Sequence, residues 1–169
     1  MRQLLKDGQV IDNTWHRVEA ELDAEQKTLP SGDILVPLSM WQNNQPALEN
    51  HIGAVGLWIN GNEEIEAIAD SMADSIATVP LIAINFPKFV DGRGFSVARL
   101  LRDRYGYQGE LRAVGQIIRD QLFLLKRCGF NAFQFESEID LAEAAKSLAD
   151  FSEAYQVAAD QPEPLFKRR

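Results

Sequence analysis

The chain has 169 residues, 46% of them hydrophobic and 25% charged, a size and balance that predict one globular domain with its own core and exclude a disordered polymer. Its formal net charge of −8 excludes general binding to nucleic acid or to an anionic membrane surface. No stretch approaches the roughly 18 unbroken apolar residues that span a bilayer, and MRQLLKDGQVIDNTW lacks the apolar core of a signal peptide, so a cytoplasmic protein without a membrane partner is expected.

In chain order, QLLKDGQVIDNTWHRV places a Lys-Asp-Gly turn between apolar runs and predicts an N-terminal β-hairpin lying against the main sheet. AELDAEQKTLPSGD then reads as a connecting loop. Five short apolar runs follow, near residues 34–41, 54–60, 80–86, 110–115 and 131–136, rich in Ile, Val, Leu, Phe and Trp. They predict strands buried on both faces. Between and after them lie QPALENH, too short to judge, and NEEIEAIADSMADSIA, FSVARLLRDRYG, RDQLFLLKRCG and EIDLAEAAKSLADFSEAYQ, with apolar residues at helical spacing such as Ile65, Ile68, Met72 and Ile76. The expected fold is α/β, a mostly parallel five-stranded sheet with helical crossovers plus the hairpin. An open sheet covered on both faces is favoured over part of a (β/α) barrel, because five units are too few to close eight strands. Residues 1–160 are expected as a single domain, the first 30 of them hairpin and linker, with 161–169 a flexible tail.

The stretch that stands out is FPKFVDGRGFSVARLLRDRYGYQGELRAVG, residues 86–115. From Phe86 to Arg127 nine basic residues face four acidic ones, net +5, leaving −13 for the rest. In a parallel α/β sheet ligands bind beyond the carboxyl ends of the strands, so the loops starting at Trp41, Asn60, Phe86, Gly115 and Glu136 should share one rim. On it, Gly92 and Gly94 are free to take positive φ, Ser96 is a natural N-cap, and Phe95 can staple onto Leu100. The first turn Val97-Ala98-Arg99 has no acid to complement the helix dipole. Arg93, Gly94, Ser96, Arg99 and Arg102 are therefore the candidate anion site, for a sulfate, phosphate or carboxylate. The bland alternative is that Arg99 pairs with Asp103 and the glycines merely turn the chain. Lys88, Asp91, Arg119, Asp120 and Gln121 complete a possible ligand rim.

Other chemistry is thinly represented. DGRGFS lacks the third glycine of a dinucleotide fingerprint and the Lys-Ser/Thr ending of a P-loop. His16 and His51 share no metal-ligand spacing with another His or Cys, so no metal is assigned. Cys128 precedes a glycine that reads as a helix C-cap and is expected as a buried apolar residue. A single cysteine supplies no redox pair, so electron transfer would take a borrowed or organic cofactor, which the residues do not identify. Trp15, Trp41 and Trp58 read first as packing residues, with Trp41 and Trp58 ending strands on the binding side.

FPKFVDGRGFSVARLLRDRYGYQGELRAVGQIIRDQLFLLKRCGFNAFQF, with DFSEAYQ after it, resembles a bacterial family of unknown function whose members are described as oxidoreductases of sulfite reduction and are encoded beside sulfite reductase genes. The resemblance runs from the hairpin to Gln156. It implies an accessory protein of assimilatory sulfate and sulfite reduction, an oxidoreductase component whose partner is sulfite reductase or phosphoadenylylsulfate reductase. It carries no catalytic residues over to this chain. The alternative from the residues themselves is a small α/β enzyme or binding protein for an anionic sulfo- or phospho-metabolite.

Overall fold

A computed structural model describes residues 3–19, 29–63 and 73–168. All five expected strands are present and mutually parallel, at Ile34–Pro37 (β4), Val55–Asn60 (β5), Leu81–Phe86 (β6), Glu110–Gly115 (β7) and Ala132–Phe135 (β8). The sheet is larger than expected, however, with eight strands of mixed direction. Gln3–Lys6 (β1) and Gln9–Asp12 (β2) form the expected hairpin around Asp7 and Gly8, and β1 extends the sheet by pairing antiparallel with β8. His16–Arg17 (β3) pairs parallel with β4 at the far edge. The strand order is β2-β1-β8-β7-β6-β5-β4-β3.

This order forces the sheet to curl. A flat eight-stranded sheet separates its edge strands by roughly 34 Å at about 4.8 Å per step. Yet β2 ends at Asp12 and β3 begins at His16, on opposite edges, and four residue steps reach at most about 14 Å. Residues 13–15 therefore strap the two edges of a strongly curved, open sheet.

Among the described residues the helices cover the convex face, in place of the expected two-sided covering. Alternate strand residues Leu57, Ile59, Ile82, Ile84, Leu111, Ala113, Phe133 and Phe135 share one core with Val97, Ala98 and Leu101 of Arg93–Asp103 (α3) and with Leu122 and Leu125 of Leu122–Arg127 (α4). Ala144 of Leu141–Lys146 (α5) joins the same core. Strands taken up in consecutive order, each followed by the same crossover, place every helix on the same side. The intervening residues Leu35, Trp58, Leu81, Ala83 and Val114 face inward with Trp15.

Several boundaries shift for local reasons. The first parallel strand stops at Pro37, which lacks an N–H and precedes the helix Leu38–Asn43 (α1), so Leu38–Trp41 is helical and Trp41 packs on the convex side. QPALENH supplies a short helix, Gln45–Glu49 (α2). The last expected helix is cut to α5 and one 3₁₀ turn, Ser147–Ala149, its start capped by Asp140, whose carboxylate accepts from the amides of Ala142 and Glu143. After it Phe151 folds back onto Phe123, ring centroids 4.9 Å apart. The terminal stretch expected to fray carries a bridge between Ala158 and Gln161 and a short helix, Leu165–Arg168 (α6), tied down by Arg168 to Glu153 and to the carbonyl of Ala154. The connecting loop expected over 20–33 and the helix expected over 62–77 fall largely on residues 20–28 and 64–72, outside the described residues; Ala73–Thr78 is a 3₁₀ helix.

Candidate functional site

The β6–α3 connection differs from its sequence reading. Neither Gly92 nor Gly94 has positive φ, and α3 begins at Arg93 with Gly92 as N-cap, so Ser96 lies inside the helix and caps nothing. Starting earlier brings Asp91 to the position just before the cap. Its carboxylate accepts from the backbone N–H and the guanidinium of Arg93, at 3.2 and 2.6–2.9 Å. The Arg93 guanidinium holds the Asp91 carboxyl at about 2, well below the ordinary carboxylate value. The acid missing from the first helical turn is thus supplied by Asp91 itself. Gly94 is needed for space: a Cβ there would lie 2.6 Å from the Phe86 ring, on which the start of α3 rests.

The five candidate anion ligands are not brought together. Arg93 is on Asp91, Arg99 pairs with Asp103 one turn on, and Ser96 is exposed. Arg102 reaches the opposite end of the sheet, donating to the carbonyls of Gly129, Tyr107 and Gly109. Burial presses its pKa below the ordinary guanidinium value. Of the wider rim, Lys88 and Asp120 are exposed, Arg119 donates to the Ser147 hydroxyl at 2.7 Å, and Gln121 clasps two loops by accepting from the Ile118 amide and donating to the Phe89 carbonyl. The basic segment is consequently no continuous face. Among the described residues, no three His, Cys, Asp or Glu side chains gather as a metal site, and no helix is long and apolar enough to cross a membrane. Cys128 is half-buried, and burial raises its thiol pKa.

Two cavities among the described residues lie at opposite ends of the parallel strands. The one at the amino ends, about 570 Å³, is lined by Asp7, Arg102, Lys126 and Asn131. Its polar groups already serve the fold. Besides the Arg102 contacts, Asn131 accepts from the Leu111 amide and donates to Asp7.

The other, about 450 Å³, opens on the concave face at the carboxyl ends, between Pro87, Gly115, Gln116 and Glu136 on one side and the strap on the other. Its place is where the rim was expected, since the pairing of Asn60 with Asn85, Phe86 with Gly115 and Gly115 with Phe135 sets those strand ends side by side. Its volume suits a small metabolite. Gly115, with φ +99°, turns the chain at this rim, and a Cβ on it would meet the Phe86 carbonyl at 2.5 Å and Asn85 at 2.9 Å.

The walls are mainly amide and aromatic. Asn13, Asn85, Gln116 and Gln134 line it, with Trp15 and Trp58 beneath and Arg17 at the β3 edge. Asn85 donates to Asn60 at 3.0 Å. The strap is anchored by Arg112, only 1% exposed, which pairs with Glu110 at 2.6 Å and donates to the Asn13 side chain at 3.0 Å. Lys6 closes this buried network on the other oxygen of Glu110 at 2.7 Å. Asn13 in turn accepts from the Trp15 amide, so a fully paired buried cation fixes where Trp15 and Arg17 stand. Arg17 lies over the Trp58 ring, its guanidinium carbon 4.0 Å from the centroid.

Trp58 is the exception to this pairing. It is 9% exposed, and its indole N–H is buried without a hydrogen-bond partner. A donor so placed costs about 1–3 kcal/mol unless an acceptor reaches it. The sequence places the rim but not the polar residues that line and brace this cleft, because Asn13, Arg17, Asn85, Arg112 and Gln134 are scattered over the chain and form no motif. The one available signal was a polar residue at alternate positions of otherwise apolar parallel strands, as in LIAINF and ELRAVG.

Residues 56–166 match the model of one protein family, described as bacterial protein of unknown function (DUF934). No curated protein and no solved structure matches the chain significantly.

Proposed function

The chain belongs to DUF934, a bacterial family whose description assigns no chemistry, and we propose from the concave cleft that it is a binding protein for a small polar metabolite. The observation that carries this reading is the unpartnered indole N–H of Trp58 in a cleft lined by four side-chain amides. Amides offer both donors and acceptors and read the edge of a polar ligand, while the two tryptophans supply apolar area for its body. Ligand-detected NMR of the full chain against small polar metabolites tests it, with Asn85→Leu as the cleft-blocked control. Binding to the wild-type chain that falls about tenfold or more in Asn85→Leu, roughly 1.4 kcal/mol, supports the reading. Binding that is equal in the two chains sinks it.

The resemblance to the sulfite-reduction family supports a second reading, that the chain serves sulfite reductase or phosphoadenylylsulfate reductase as an accessory protein. The observation favouring it is apolar exposure beside the cleft mouth: Phe89 is 53% and Val90 71% exposed, next to Ile118. On this reading a partner docks on the rim and exchanges the cleft's ligand. Co-purification with sulfite reductase that is lost in Phe89→Ser/Val90→Ser supports it; retention in that variant, or no association at all, overturns it.

A further inference from the structure

We infer that the ligand of the cleft carries an oxyanion, a carboxylate, sulfo or phospho group, seated at the β3–β5 corner between the Arg17 guanidinium and the Trp58 indole N–H. This rests on the cleft being a ligand site and specifies which end of the ligand is charged and where it lies.

Three observations carry it. The first is a donor without an acceptor, since an indole nitrogen donates only and an oxyanion only accepts. The second is a cation beside that donor. The Arg17 guanidinium carbon stands 4.0 Å from the centroid of the same indole, so a cation lies against the ring that carries the unpartnered donor. The third is how little Arg17 gives up. Its ion pair is with Glu19 at 3.6 Å, between side chains 48% and 74% exposed, a contact worth little. The arginines first read as anion ligands, and Arg112 at the cleft, are engaged more closely: Arg112 by Glu110 and Asn13, Arg93 by Asp91, Arg99 by Asp103, Arg102 by three carbonyls.

The test follows the indole N–H signals of the isotopically labelled full chain. Trp58 is assigned by the signal lost in Trp58→Phe. Inorganic sulfate, inorganic phosphate and acetate are titrated at constant ionic strength, with acetamide as the neutral counterpart of acetate. The expected result is a saturable shift of the Trp58 signal by at least one of the anions and none by acetamide. In Arg17→Gln the apparent Kd should rise about tenfold or more, and in Arg104→Gln, an exposed arginine beside Tyr105, it should not change. Arg17 stands on an exposed two-residue edge strand, so its replacement leaves the core intact. Equal shifts by acetate and acetamide, or an affinity indifferent to Arg17→Gln, would mean a neutral ligand group and overturn this inference while the cleft reading stands. Silence of Trp58 toward every anion up to about 100 mM, where even a weak site fills, overturns it as well. In that case the Asn85→Leu comparison decides the cleft reading separately.

Discussion

The two ends of the parallel strands hold cavities of similar size and opposite character. At the amino ends Arg102 is surrounded by carbonyls and its guanidinium serves as a structural clasp. At the carboxyl ends Arg17 is loosely held and an indole N–H is left without an acceptor. The difference is one of commitment: at the amino ends the cation is taken up by backbone carbonyls, whereas at the carboxyl ends the fold leaves a donor unused.

The largest expected effect breaks the amino-end clasp. Arg102→Ala leaves the carbonyls of Tyr107, Gly109 and Gly129 without their donor and should destabilise the chain by about 3 kcal/mol, read by urea unfolding. Anion titration of the Trp58 signal in the folded fraction should be unaltered; a loss of that response would mean the two ends are not independent. Next comes the motif glycine. Gly94→Val drives a side chain into the Phe86 ring and should cost about 1–3 kcal/mol, although its backbone angles are ordinary. A stability within experimental error of the wild-type chain would show that α3 can lift off Phe86 freely.

A smaller effect is expected at the cleft itself. Trp58→Phe removes the unpartnered donor along with some buried ring area, and the two terms oppose, so the ligand-free stability should stay within about 1 kcal/mol of the original. A loss several times larger would mark the indole as a packing residue first. The smallest effect is electrostatic. Asp91 has a lowered pKa, about 2 against an ordinary 3.8, because it accepts from Arg93. Its contribution is present above the ordinary value and is lost as pH falls from about 4 toward 2. Asp91→Asn should flatten that acid limb of the stability profile, only slightly, since the pair is solvent-screened.

Much of the fold was legible and much of the candidate site was not. Alternation of apolar runs with helical spacing placed β5, β6 and β7 within a residue of their observed ends. Asp7-Gly8 announced the hairpin. The strand overrun at Leu38–Trp41 arose because an apolar run does not distinguish a strand from a short buried helix after a proline. The helix cap falls at Gly92 and not at Ser96, the position read from two glycines that mimic a loop, while the reason for a glycine at position 94, the Phe86 ring where a Cβ would lie, is a tertiary contact.

By itself the sequence determined the units: five parallel strands, a hairpin, and a carboxyl-end rim where ligands of such sheets bind. These follow from local periodicity and turn chemistry, which act over a few residues. Only the tertiary structure decided that the sheet curls until residues 13–15 strap its edges, setting Asn13 beside Arg112 and Gln134 and Arg17 over Trp58. It also decided that the +5 segment disperses, one arginine to an aspartate, another to backbone carbonyls at the far end. The physical reason is common to both. A side chain's partner depends on which strands become neighbours across the curve, and that pairing joins Asn13 to Gln134, 121 residues away in the chain.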